Sequence, residues 1–297
     1  MSETTPAAVR KKISINDILI SVLPLIIMLT LNTICTLPAI LIGLYMNDKA
    51  GIKEIDISNV LASDEAQFVL MIGFMLYAVV SIIIFYFWYR KAFLKKLPVQ
   101  TFREAFPGKK VALALGASLG TWGLINLVLN LLIMLSPNLM DNFDQIMDSS
   151  GLGSNLITTV VYGSILGPIA EELMFRGVTQ SYLRRSGLPI GLVLFIQALF
   201  FGIAHLNLVQ SSYAVLLGMT FGLVAYKFGN IRMACIVHIV NNMISFGGEI
   251  VAAKLGLSDS ANMIIYIVLT VIGIVSAVFL IKTPAYVPEA KTVSQQA

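Results

Sequence analysis

The sequence predicts an all-α, polytopic integral membrane protein of about eight transmembrane helices, and three observations lead there. Hydrophobic residues make up 57% of the 297 residues and charged residues only 12%, with a mean hydropathy of +0.86. Soluble domains carry about 25% charged residues, so this chain has too few to wet a globule of its size. Eight mostly apolar stretches come close to or exceed the roughly 20 residues that a spanning helix needs: 18–46, 67–89, 111–135, 154–183, 188–208, 211–228, 231–250 and 261–281. The basic residues also segregate. With the N-terminus inside, seventeen of the twenty Lys and Arg fall on the inner side, leaving Lys49, Lys53 and Lys254 outside among Asp48, Glu54, Asp56, Asp64 and Glu65. Such a bias sets topology. The composition excludes a soluble enzyme, a disordered chain, a disulfide scaffold and a fibrous repeat. The net charge of +4 is a topology signal and gives no reason to invoke nucleic acid.

Each element follows in order. Residues 1–17 read as a cytoplasmic tail with Arg10-Lys11-Lys12 ahead of the first apolar stretch. A signal peptide begins this way, but 18–46 far exceeds an apolar region of about 7–15 residues, so the stretch reads as a retained anchor. Residues 18–110 supply two spans and a basic, amphipathic cytoplasmic loop at 90–110 carrying Phe93, Leu94, Leu97, Phe102 and Phe106. That pattern suits the anionic headgroups of the inner leaflet. Residues 111–282 hold the remaining six spans and are the candidate catalytic core; 283–297 form a polar cytoplasmic tail. The expected location is the cell membrane, multi-pass, with both termini cytoplasmic. Cys35 and Cys235 lie in separate apolar stretches and read as small buried hydrophobes.

Charged groups inside a bilayer cost about 2.5–3.5 kcal/mol each on insertion scales and mark function. Here they are Glu171, Glu172 and Arg176 in the fourth stretch, His205 in the fifth and His238 in the seventh, with Asn242 four residues later. Glu172 and Arg176 stand i, i+4 with the acid first, the favourable order. Glu171 is rotated about 100° from Glu172. On one straight helix the two carboxylates cannot face one point, so Glu172 is assigned to Arg176 and Glu171 is left to aim into the bundle. Phe201 and His205 share a face, as do His238 and Asn242. Three helices thus each bring a polar element to one prospective pocket. Counted along straight spans, Glu171, His205 and His238 lie at different depths. They converge only if helices are tilted, offset or broken, and Gly167-Pro168 is a candidate break.

Glu171-Glu172-Leu-Met-Phe-Arg176 fits E-E-x-x-x-R, Phe201-Gly-Ile-Ala-His205 fits F-x-x-x-H, and His238-Ile-Val-Asn-Asn242 fits H-x-x-x-N. In this order on separate apolar segments, the three resemble the CPBP (Abi) family of intramembrane proteases, which includes the type II CAAX prenyl endopeptidases. The resemblance covers about residues 111–250. It implies that Glu171 and His205 activate a water, that His238 and Asn242 form an oxyanion hole, and that Glu172 and Arg176 buttress the site. The implied substrate is a prenylated protein or another membrane-associated peptide.

A Glu–His pair in a dry site can hold a water and take its proton, and a preorganised donor to the oxyanion contributes about 2.7–4 kcal/mol. Zinc is the mechanistic rival, with Glu171, His205 and His238 as ligands and Glu172 as a further carboxylate. No H-E-x-x-H and no ligand-spaced histidine pair on one helix supports it, so metal-independent chemistry is favoured and no cofactor is expected. Outside enzymology, a non-catalytic scaffold or bacteriocin-immunity protein and a proton-coupled transporter also bury such groups. The transporter lacks a visible inverted repeat or paired broken helices.

Overall fold

A computed structural model of the chain describes residues 12–51, 60, 61, 63–149 and 158–287. Its regular elements are all helical. Helix α1 (Ile15–Ala50) starts three residues before the expected span because the Ser14 side chain caps it, accepting from the Asp17 backbone N–H. Helix α2 (Asp64–Ala92) is capped likewise by Ser63. A short α3 (Phe102–Ala105) precedes α4 (Gly108–Leu135) and the amphipathic α5 (Pro137–Ser149). The motif-bearing column comes next: a π-helical run Thr158–Leu166, one α-turn α6 (Gly167–Glu171), a second π-helical run Glu172–Thr179, and α7 (Gln180–Arg185). Pro168 sits at the start of α6, where a missing N–H and fixed φ interrupt the ladder. Helices α8 (Ile190–Ile203), α9 (Leu208–Phe228), α10 (Arg232–Lys254) and α11 (Asp259–Lys282) complete the chain.

Five of these segments are long and apolar enough to cross a membrane: Ile15–Ala50, Asp64–Lys96, Phe102–Leu135, Leu208–Phe228 and Asp259–Lys282. The other three expected spans fall short for physical reasons. The 154–183 stretch is interrupted by π-helical turns and carries three charges, and its first four residues lie outside those described. Helix α8 has 14 residues, and α10 carries Arg232, His238, Asn241, Asn242, Glu249 and Lys254. Polar and charged residues dilute the first and third of these segments, whereas α8 is apolar but short, ending before His205.

Several of the described helices have an end at one shared pole. At one pole the Ser14 N–H donates to the Ser186 carbonyl (2.9 Å) and Gln100 Nε2 to the Phe228 carbonyl (2.9 Å). There too Lys110 Nζ donates to the Pro284 carbonyl (2.8 Å), and Lys227 Nζ to those of Ile281 and Thr283 (2.6 Å each). The connector after α2 keeps Leu94 and Leu97 exposed and is anchored to the bundle on one side. Gln100 reaches into the pole, Phe93 stacks edge-on to Tyr182 (4.8 Å) and Phe106 packs on the core, while Val99 and Phe102 stay exposed.

Without water inside a bilayer, helices associate through close packing at small residues. The α4–α11 seam shows this: a Cβ on Gly120 would fall on the Gly273 backbone, and one on Gly123 would lie 2.8 Å from the Tyr266 carbonyl oxygen. Gly177 lets Tyr89 of α2 press its ring on the motif column, where an added Cβ would meet the ring at 3.2 Å.

Candidate active site

The motif column supplies the acids. Glu172 and Arg176 have fully buried side chains and pair through Oε1 and Nη1 at 2.6 Å. The same Oε1 accepts from His238 Nδ1 at 2.9 Å. Because the carboxylate already faces a guanidinium, the histidine proton belongs on Nδ1, and Nε2 is turned away from Glu172. Nε2 lies 3.6 Å from Glu171 Oε2. The two carboxylates thus do meet at one group, contrary to the straight-helix expectation. An imidazole has nitrogens on two sides, so acids on successive residues can each take one. Glu171 is the more accessible acid, with 18% of its side chain exposed against 0% for Glu172.

His238 is fixed by more than its nitrogens. Its ring stacks on Phe221 (centroids 4.4 Å apart, 27° between planes) and meets the edge of Phe201 at 5.8 Å. Phe201 is the hub: the Arg176 guanidinium lies 4.6 Å from its centroid and the His205 ring 5.0 Å away. Cation–π contact of this kind gains strength when desolvated. Arg176 also donates through Nη2 to the Gly218 carbonyl (3.2 Å), which accepts from Gln197 Nε2 as well (2.7 Å).

His205 lies just past the end of α8, where sequence spacing had put it inside a span. Leu206 adopts left-handed backbone (φ 53°), which ends α8, and Asn207 caps α9 by accepting from the Gln210 N–H. His205 Nδ1 stands 2.8 Å from the Phe201 carbonyl oxygen. A carbonyl only accepts, so Nδ1 carries the proton and Nε2 is free to accept. Glu171 precedes Arg185 by fourteen residues and His205 follows Ile190 by fifteen, on either side of the same turn. Asn242, one turn beyond His238, donates through Nδ2 to the Gly163 carbonyl (2.8 Å), tying α10 to the first π-helical run.

Glu171, Glu172, Arg176 and His238 therefore form one connected cluster, and Phe201 links His205 to it. Among the described residues, no three His, Cys, Asp or Glu are placed as a metal site. Glu172 Oε1 is shared by Arg176 and His238. Sequence reasoning passed over Phe221, Gln197 and Gly218. Gln197 is the one polar side chain in α8, a contrast that a search for charges alone overlooks.

Residues 153–244 match the family model described as type II CAAX prenyl endopeptidase Rce1-like. The matched segment includes all three motifs. No curated protein and no solved structure gives a significant match.

Proposed function

From the premise that this multi-pass membrane protein carries a type II CAAX prenyl endopeptidase Rce1-like domain over residues 153–244, we propose that it is an intramembrane endopeptidase using a Glu/His-activated water. The observation that supports this most directly is the shared Glu172 oxygen, 2.6 Å from Arg176 and 2.9 Å from His238, which leaves His238 Nε2 facing Glu171. Glu171 takes a proton from the attacking water while His205, held with Nε2 free, accepts its other hydrogen. The water oxygen bonds to the scissile carbonyl carbon. The developing oxyanion takes a hydrogen bond from His238 Nε2 when that nitrogen is protonated, and another from the second N–H of the Asn242 amide. Glu171 then returns its proton to the leaving amine as the C–N bond breaks. No step requires a metal.

The substrate is a membrane-associated peptide, with a prenylated C-terminal segment as the first to try. The experiment compares reconstituted wild type with Glu171→Gln and His205→Ala on prenylated and unprenylated forms of one reporter peptide. Losing the base lowers cleavage about 10²–10⁴-fold, and Asn242→Ala lowers it about 10²–10³-fold. Thorough chelation leaves the wild-type rate unchanged. Undiminished cleavage by folded Glu171→Gln would overturn the mechanism.

A further inference from the structure

Helix α8 is apolar throughout except at Gln197, which is fully buried. An amide buried in such a helix is costly unless it is hydrogen-bonded. Here Nε2 donates twice, to the Leu194 carbonyl of its own helix (2.9 Å) and to the Gly218 carbonyl of α9 (2.7 Å). The Gly218 carbonyl is also the acceptor for Arg176 Nη2 (3.2 Å). Bare backbone on α9 makes the approach possible. A Cβ on Gly218 would lie 2.9 Å from the Ala198 Cα, and one on Gly222, a turn later, would fall on Gln197 Nε2 itself. Gln197 and Phe201 share a face of α8, and His205 follows four residues later with its Nδ1 on the Phe201 carbonyl (2.8 Å). Along that face Gln197 meets the acceptor used by Arg176. Phe201 then lies against the Arg176 guanidinium (4.6 Å), the edge of His238 (5.8 Å) and the His205 ring (5.0 Å).

Contacts between apolar side chains carry no direction, so they leave one helix free to slide or turn on the next. A hydrogen bond across helices selects a single placement. We infer that Gln197 is a positioning residue that fixes α8 against α9 and so sets His205 relative to the Glu172–Arg176–His238 cluster, a role that rests on the protease reading of the site. The tie is made at the carbonyl where Arg176 lands, so one backbone oxygen registers both halves of the site. Without the Gln197 amide that oxygen keeps one side-chain donor in place of two, and α8 loses its polar tie to α9 beside the cluster. Phe201 and His205 then move together with respect to Arg176 and His238. The water that Glu171 and His205 activate is presented less well to the scissile carbonyl, while the substrate-binding surface is unchanged.

The test uses the reconstituted full-length protein and two variants that remove the bond from opposite sides. Gln197→Met keeps the volume without a donor, and Gly222→Ala displaces the flexible amide while Gln197 stays in place. Each is expected to lower kcat about ten- to a hundredfold with KM little changed, the split that marks loss of transition-state geometry. The double variant is no worse than the poorer single one, because both remove the same contact. Gln197→His, which keeps a ring N–H donor, recovers most of the rate. A second readout does not need cleavage. The chain has only two histidines, His205 and His238, so NMR of histidine-labelled protein gives one ring spectrum for each. Both spectra shift in Gln197→Met and in Gly222→Ala, and neither shifts in Gly191→Ala, where an added Cβ meets nothing within 4 Å. Wild-type kcat in either folded variant, losses that multiply in the double variant, or unshifted ring spectra would each overturn the inference. Undiminished cleavage by Glu171→Gln would instead mark failure of the protease mechanism, and the ring spectra would still decide whether Gln197 sets the two histidines.

Discussion

At the scale of single residues, the site turns on one carboxylate oxygen. Glu172 Oε1 serves Arg176 and His238 together, with both acid and guanidinium out of solvent. Removing one partner of a buried pair strands the other charge at a cost of about 3–5 kcal/mol, whereas replacing both with apolar residues is often close to neutral. Glu172→Gln is therefore expected to destabilise by that amount in denaturant titration of the detergent-solubilised protein. Glu172→Gln with Arg176→Met recovers most of the stability. Neither variant cleaves at the wild-type rate, because His238 Nδ1–H then meets a neutral amide oxygen in place of the carboxylate that orients and polarises it. A Glu172→Gln single variant as stable as wild type would show that the pair does not hold the site. The charged and imidazole members of this cluster were legible in the sequence because charge is scarce in apolar helices. Phe221 was not: a phenylalanine in an apolar helix offers no contrast, although its ring lies against His238. Backbone acceptors such as the Gly218 and Gly163 carbonyls have no side-chain signature at all.

At the scale of elements, the helices were legible from apolar runs, but their interruptions were not. Periodicity cannot distinguish an α-helix from the π-helical runs that flank Gly167–Glu171, and such turns concentrate at functional sites. Nor did the apolar run ending at 208 reveal that α8 stops at Ile203, since that depends on Leu206 adopting positive φ. Helix pairing was also hidden, because the α4–α11 seam depends on which glycines face each other. At Gly120 and Gly273 even a methyl group has no room, since each meets the other's backbone. Overpacking of this kind costs about 1–3 kcal/mol. Gly120→Ala and Gly273→Ala are each expected to lower stability by that amount in the same titration. Gly191→Ala in α8, where an added Cβ meets nothing within 4 Å, leaves stability near wild type. Equal effects at all three positions would rule out the seam as a close-packed contact.

At the scale of the whole molecule, charge sorting in the sequence and hydrogen bonding in the structure lead to the same arrangement by different routes. Lys96, Lys110, Arg184, Arg185, Lys227 and Arg232 gather at the pole where α1 begins and α11 ends. Lys254 lies at the far end of α10, before the turn into α11. The start of α1 and the end of α11 share one pole, and five of the described segments are apolar enough to be recognised as spans by composition. If that basic pole faces the cytoplasm, as the positive-inside bias requires, residues 13 and 287 share the inner side and residue 255 lies outside. Labelling can test this in a background with Cys35 and Cys235 replaced by alanine, with single cysteines at Ile13, Leu255 and Val287, all exposed positions. A membrane-impermeant maleimide applied to intact cells is expected to label the Leu255→Cys protein only, and all three after permeabilisation. Labelling at 13 or 287 but not both would require an odd number of crossings and remove one of the three motif-bearing segments from the membrane. Labelling at both and not at 255 would keep an even number of crossings but invert them, placing the basic pole on the outer side.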